Sequence, residues 1–154
     1  QHINKYIEVL GNIDAGGGIF VTGGDLNSVP PGSVTDFCES DMCISDDFHT
    51  ENADPYHKEG SYFENFTGEP DILVPLYDIY DAAIDTASYN LPEHFTHAPS
   101  TSMIDDTTVT MYDRKLDYLF TNGTWDSGSG STDQSAWELS DHMPVSATFM
   151  PASE

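Results

Sequence analysis

Three short apolar runs, each joined to a cluster of chemically capable side chains, constrain this chain more than any other feature. Ile19-Phe20-Val21-Thr22 leads into Gly24-Asp25-Leu26-Asn27, Leu116-Asp117-Tyr118-Leu119-Phe120 follows Arg114 and Lys115, and Ser140-Asp141-His142-Met143-Pro144 opens onto Val145-Ser146-Ala147-Thr148-Phe149. Runs of this length read as strands: the first as a fully buried one, the last, by its alternation, as a strand with one face inward. Asp25 and Asn27 then sit just past the C-terminal end of a core strand, where ligands collect in open α/β sheets. Taken singly, an Asp at a strand end is more often a turn or cap residue. Three such clusters in one chain make the stronger signal.

The rest of the chain supplies an α/β setting. Ile3, Ile7 and Leu10 have helical spacing, with Gly11 and Asn12 as the stop signal. Pro30-Pro31-Gly32 reads as a turn, and Ser33 as the N-cap of a short helix through about Cys38. Residues 45–70 read as a surface excursion, whose aromatics pack the excursion itself. A second helix is expected from Leu76 to about Ala87, with Leu76, Ile79, Tyr80, Ala83 and Ile84 on one side. Residues 90–107 read as a polar loop, Val109-Thr110-Met111-Tyr112 as a strand, and residues 126–136, rich in Gly and Ser, as a mobile loop. At 154 residues with no internal repeat, residues 1–154 read as a single domain. No apolar run approaches the ~18 residues of a membrane span, so no stable membrane insertion is expected.

Charge narrows the partners. Four Lys and Arg stand against 27 Asp and Glu, a net charge of −23. Lys5, Lys58, Arg114 and Lys115 are the only cations, which excludes gripping nucleic acid by phosphate neutralisation across this chain and disfavours anionic lipid surfaces. Such acidity fits a secreted or extracytoplasmic, high-salt setting and a protein that loads divalent cations. Cys38 and Cys43 cannot build a zinc framework; a local disulfide and two free thiols both stay open. Asn65-Phe66-Thr67 and Asn122-Gly123-Thr124 match the glycosylation sequon, which recurs by chance. His94 and His97 have the spacing of one helical turn, but Pro92 and Pro99 argue for a loop and against a metal pair. Asp46-Asp47, Asp71 and Asp105-Asp106 fit no EF-hand register. A chain opening on Gln1 reads as a processed product or an excised piece.

In this order, Gly24-Asp25-Leu26-Asn27, Asp117-Tyr118 within an apolar strand, and Ser140-Asp141-His142-Met143-Pro144-Val145 resemble the C-terminal signature of the endonuclease/exonuclease/phosphatase superfamily. That superfamily includes deoxyribonuclease I, abasic-site endonucleases, sphingomyelinases and inositol-polyphosphate phosphatases. The resemblance runs from Ile3 to Phe149, specific at the three clusters and loose between them. It implies one half of a four-layer α/β sandwich, a mostly antiparallel sheet with helices on one face. It also implies a hydrolase, a metal-dependent phosphodiesterase or nuclease using metal-activated water, with Mg²⁺ (or Mn²⁺ or Ca²⁺) as cofactor.

By the same resemblance, Asp25 would orient or deprotonate the water, and Asn27 would hydrogen-bond within that network or to the phosphate. Asp117 would hold His142, which contacts the scissile phosphate. Asp141 would help bind the metal, and Ser140 would shape the backbone. The superfamily's first half, with its metal-binding Glu, has no counterpart here, so the chain reads as the second half of a site and need not be active alone. A missing N-terminal half, or a second copy, is expected to cover the sheet. The substrate class is a phosphate ester: nucleic acid, lipid headgroup or small molecule. The alternative is a non-catalytic half-domain that binds a partner through its uncovered sheet.

Chemistry supports these roles independently. A phosphodiester is anionic and repels hydroxide, so hydrolysis needs charge neutralisation and an oriented water. A carboxylate beside an imidazole raises its pKa and selects which nitrogen carries the proton.

Overall fold

Backbone donors and acceptors of the apolar runs are satisfied by strand pairing, and among the described residues every paired strand is antiparallel. The computed structural model describes residues 2–33, 71–98, 112 and 114–150, and the backbone of residues 100–104 and 107–111. The expected helix beyond Ser33, the excursion at 45–70, Lys58, both cysteines, the Asn65 sequon and the aspartates at 46, 47, 105 and 106 lie outside the described residues.

In chain order the elements are α1 (His2–Ala15), β1 (Val21–Asp25), α2 (Val74–Ile79), β2 (Asp81–Ala82), a 3-10 turn (Pro92–His94), β3 (Ser100–Ile104), β4 (Thr107–Met111), β5 (Asp117–Thr121), β6 (Thr124–Trp125), β7 (Ser131–Thr132), a second 3-10 turn (Gln134–Glu138), β8 (Val145–Ser146) and β9 (Phe149–Met150). β5 lies between β1 and β2; β3 pairs with β4, β6 with β9, and β7 with β8. The molecule thus mixes helix with antiparallel sheet, which agrees with the α/β reading at that level.

The core forms on one face of the central sheet. Tyr118 and Phe120 of β5 are buried beside Phe20, Leu10 of α1, and Leu73, Leu76 and Tyr80 around α2. Ile3, Tyr6 and Ile7 of α1 pack onto this cluster at helical spacing. The aromatic rings meet edge to face, Phe20 on Tyr80 and Tyr77 on Phe120, both at 5.1 Å. Two residues apart on β5, Asp117 and Leu119 point to the opposite face.

Several elements depart from the sequence pattern. Helix α1 runs through Gly11 and Asn12 to Ala15, because its C-terminal carbonyls are satisfied later. Gly17, at φ 76°, takes the left-handed position; its N–H reaches Asp14 O at 2.8 Å and that of Gly18 reaches Ile13 O at 3.0 Å. The expected fully buried first strand is largely exposed along β1, with Val21 at 50%; Ile19, just before it, is at 56%. Among the described residues β1 has only β5 as a neighbour, so only the face under Phe20 is covered.

The second helix stops at Ile79. Tyr80 turns extended at φ −122°, and Asp81 and Ala82 pair with Thr121 and Phe120 instead. Sheet pairing there outcompetes the helical pattern, and Leu76, Tyr80 and Ile84 still reach the interior. The polar loop expected over 90–107 contains the first 3-10 turn and β3. The last apolar run divides into β8 and β9, which serve different partners.

The segment 126–136, read as a mobile loop, carries β7 and the start of the second 3-10 turn, capped by the Asp133 carboxylate accepting from Ser135 N. Gly130 in that segment lies so close to the Ala83 carbonyl that an added Cβ would meet it at 1.8 Å. Asn122 of the second sequon accepts from Phe20 N at 2.9 Å and donates to Asp14 and to Gly18 O, so its amide joins α1 to the sheet.

Gly23 and Gly11 test this arrangement in opposite directions. A Cβ at Gly23 would lie 1.9 Å from Tyr118 O, whereas one at Gly11 meets nothing within 4 Å. Gly23→Ala is expected to destabilise by about 3 kcal/mol or more through the β1–β5 contact, and Gly11→Ala to stabilise by about 0.5–1 kcal/mol, both read by denaturant unfolding.

Candidate active site

The site begins with register. Antiparallel pairing sets Gly24 opposite Tyr118 and Asp25 opposite Asp117, so two carboxylates face each other at the end of the sheet. Directly opposed like charges repel across strands. What offsets them here is His142, whose Nδ1 lies 2.8 Å from Asp117 Oδ2. One ligand atom from each of Asp25, Asp117 and His142 falls within 4.8 Å of the others.

Asp25 is held from its own loop. Asn27 donates its backbone N–H to Asp25 Oδ1 at 2.8 Å and its side-chain amide to Oδ2 at 2.9 Å. Asn27 adopts φ 48°, a left-handed conformation that Asn tolerates better than most side chains. Of the two roles open to Asn27, the geometry displays the bond inside the carboxylate network. Ser140 acts on the backbone: its hydroxyl accepts from His142 N at 3.0 Å and donates to Asp141 Oδ1 at 3.3 Å.

The segments carrying Asp117 and His142 are joined by a stretch that sequence reasoning set aside. Thr96 is fully buried, and its hydroxyl accepts from the backbone N–H of Leu116 and Asp117 at 2.8 and 3.0 Å. Its own N–H and that of His97 reach Arg114 O, Met143 N reaches Thr96 O at 2.7 Å, and Ala98 N reaches Asp141 O at 2.8 Å. Residues 96–98 therefore tie 114–117 to 141–143. His97 is carried into the site as a result, its ring 5.3 Å from that of His142. Ligand atoms of His97, Asp141 and His142 again lie within 4.8 Å of one another. His94 belongs to neither cluster. Pro92 opens the first 3-10 turn, the chain turns extended at Phe95 (φ −66°, ψ 135°), and His97 then bridges two distant segments.

Electrostatics follow from the geometry. Burial pushes the His142 pKa down, but the hydrogen bond and charge of Asp117, joined by Asp25 and Asp141, outweigh it and leave the net shift upward. Lys115 behaves oppositely. It is 2% exposed, its Nζ has no hydrogen-bond partner among the described residues, and it lies 5.0 Å from the Tyr118 ring centre. Burial lowers its pKa to about 8 despite the opposing charge of Asp117. Arg114 is buried as well, at 1%. Of the chain's cations, then, the described one left at the surface is Lys5, paired with Glu8 at 2.6 Å.

A cleft of about 710 Å³ opens beside Asp25, between the first turns of α1 and residues 71–75, with Tyr6, Leu26, Ile72 and Leu73 among its walls. No family model matches the chain, and neither does any curated protein or solved structure. No described helix is long and apolar enough to cross a membrane.

Two titrations check these assignments. Because its folded pKa is raised, His142 contributes stability that is complete below its unfolded value near ~6.5 and is lost as pH rises through the elevated midpoint. Asp117→Asn should shift the His142 imidazole midpoint downward by NMR, and its loss of Tm relative to wild type should be greatest below about pH 6.5. Lys115, with a lowered pKa, disfavours the fold until it deprotonates. Lys115→Met should therefore stabilise by about 1–3 kcal/mol near pH 7, an advantage that shrinks as wild type gains stability between about pH 8 and 10.5.

Proposed function

We propose that the chain carries part of a metal-dependent phosphoesterase site, in which Asp25, Asn27, Asp117 and His142 act on a phosphate ester and Asp141 binds the metal. The observation that carries this reading is the Asp117–His142 hydrogen bond set directly beside the Asn27-bound carboxylate of Asp25. The donor chemistry fits a hard divalent ion such as Mg²⁺, which takes one or two carboxylates and keeps several waters. Asp141 is exposed and, among the described residues, its carboxylate accepts a long hydrogen bond from Ser140, so it has the capacity to be a ligand. Bound there, such an ion supplies charge neutralisation and an acidified water.

The protein's own groups account for the remaining roles. Asp117 accepts from Nδ1–H of His142, leaving Nε2–H to face an anionic oxygen. Its charge and those of Asp25 and Asp141 favour the imidazolium, which stabilises negative charge accumulating on the phosphoryl group. Asp25, fixed by two hydrogen bonds from Asn27, is oriented to accept a proton from a water. Ser140 and Thr96 position these groups through the backbone, and hold them without touching the substrate.

A small or lipid-headgroup ester is favoured over nucleic acid. With Arg114 and Lys115 buried, little cationic surface is left on the described residues for a phosphate backbone. The apolar-walled cleft at Asp25 offers room for an aryl or acyl group instead. The same reading includes the finer architecture, one half of a four-layer sandwich, and the exposed Ile19 and Val21 support it as a face for another layer. That exposed face is also what favours the second reading, a partner-binding module without catalysis.

In the intact protein, Asp25→Ala and His142→Ala should each lower Mg²⁺- or Mn²⁺-dependent cleavage of an aryl phosphodiester by about 10²–10⁴-fold. Activity unchanged in both variants removes the catalytic reading. Chelation by EDTA should abolish turnover, and added Mg²⁺ should restore it.

A further inference from the structure

The second cluster differs from the first in its donors. Asp25 and Asp117 surround His142 with oxygen, whereas His97 and Asp141 approach it with one imidazole and one carboxylate. We propose that His97, Asp141 and His142 form a binding site for a borderline transition-metal ion of the Zn²⁺ class.

Two imidazoles and one carboxylate suit zinc and its neighbours better than Mg²⁺ or Ca²⁺, which prefer oxygen alone. The second ring nitrogen also matters. A ligating histidine almost always donates its other N–H to a carboxylate, which fixes the tautomer and raises its basicity. His142 already has that partner: Nδ1 is 2.8 Å from Asp117, so the neutral ring presents Nε2 to a metal. That state excludes the imidazolium role of the proposed function and would make Zn²⁺ an inhibitor of it.

Rigidity is built in on the other side. His97 is 8% exposed and its backbone forms antiparallel bridges to both Arg114 and His142, so the two rings are held at 5.3 Å by main-chain bonds. Asp141 is exposed, and its carboxylate accepts a long hydrogen bond from Ser140 at 3.3 Å. The three ligand atoms lie within 4.8 Å, against the ~3.3 Å between ligands on a tetrahedral zinc with bonds of ~2.0–2.1 Å. Side-chain adjustment, chiefly of exposed Asp141, is needed to close that difference.

The test is calorimetric titration of the metal-free intact protein with ZnCl₂ in buffered salt without Mg²⁺, since Mg²⁺ would compete for Asp141. Wild type should bind one Zn²⁺, and His97→Gln and His142→Ala should each weaken it by at least about tenfold. Glu8→Gln, on the far helix α1, should leave binding unchanged. Should His97→Gln fail to fold by circular dichroism, the partly exposed His142 and Asp141 carry the test through His142→Ala and Asp141→Asn. Substituted Co²⁺ should give the absorption bands of a low-coordinate nitrogen and oxygen site, lost in the same variants. No Zn²⁺ binding under these conditions overturns the proposal. So does binding of equal strength in wild type and the ligand variants, which would place the ion at Cys38 and Cys43 or on surface carboxylates. Neither readout needs turnover, so absence of phosphodiesterase activity would count against the proposed function and leave this site standing.

Discussion

Strand β5 must serve two faces at once, and most of the structure depends on that constraint. Its neighbours β1 and β2 pair on both edges, which fixes its register, and the two-residue period of a strand then divides its side chains. Tyr118 and Phe120 enter the core under α1, while Asp117 turns to the opposite face. A slip of one residue would bury the carboxylate and expose the rings. Tyr118 reinforces the register by donating to Ser28 O at 2.6 Å and Lys115 O at 2.9 Å, joining the loop after β1 to the approach to β5. The position of the candidate site is thus a consequence of how the core packs.

Charge at the site follows the same logic. Three carboxylates, Asp25, Asp117 and Asp141, surround one imidazole. In a chain of net charge −23 such a gathering is costly unless a cation offsets it. Protonated His142 does so in part, and a bound metal ion would complete it. The chain's own Arg114 and Lys115 are withdrawn from the surface, and Lys115 still feels the charge of Asp117 from the interior. An acidic, cation-poor rim of this kind favours divalent ions over polyanions, which is the physical ground for proposing a metal and a small ester here.

Local pattern read some of this correctly. The strands around Val109 and Leu116 and the turn at Pro30-Pro31-Gly32 depend on neighbours in sequence, and the structure has β4, β5 and a Ser33 N to Pro30 O bond there. Where tertiary pairing competed with local preference, pattern failed. The second helix ended early because Ala82 found Phe120, and the last strand split because Val145 and Phe149 found different partners. Thr96 and His97 were illegible as site residues, since nothing nearby in sequence signals a main-chain tie to residues 114–117 and 141–143.

By itself the sequence determined which chemistry was possible. The acidic balance, the Asp25–Asn27 pair, Asp117 beside an apolar run, and Asp141-His142 are properties of residue type and short spacing, which hold in any fold. Only tertiary structure decided that these groups share one rim, that His97 joins them, and that Arg114 and Lys115 are buried. The reason is range: each of those outcomes depends on hydrogen bonds and burial between segments far apart along the chain, and no local window contains both partners.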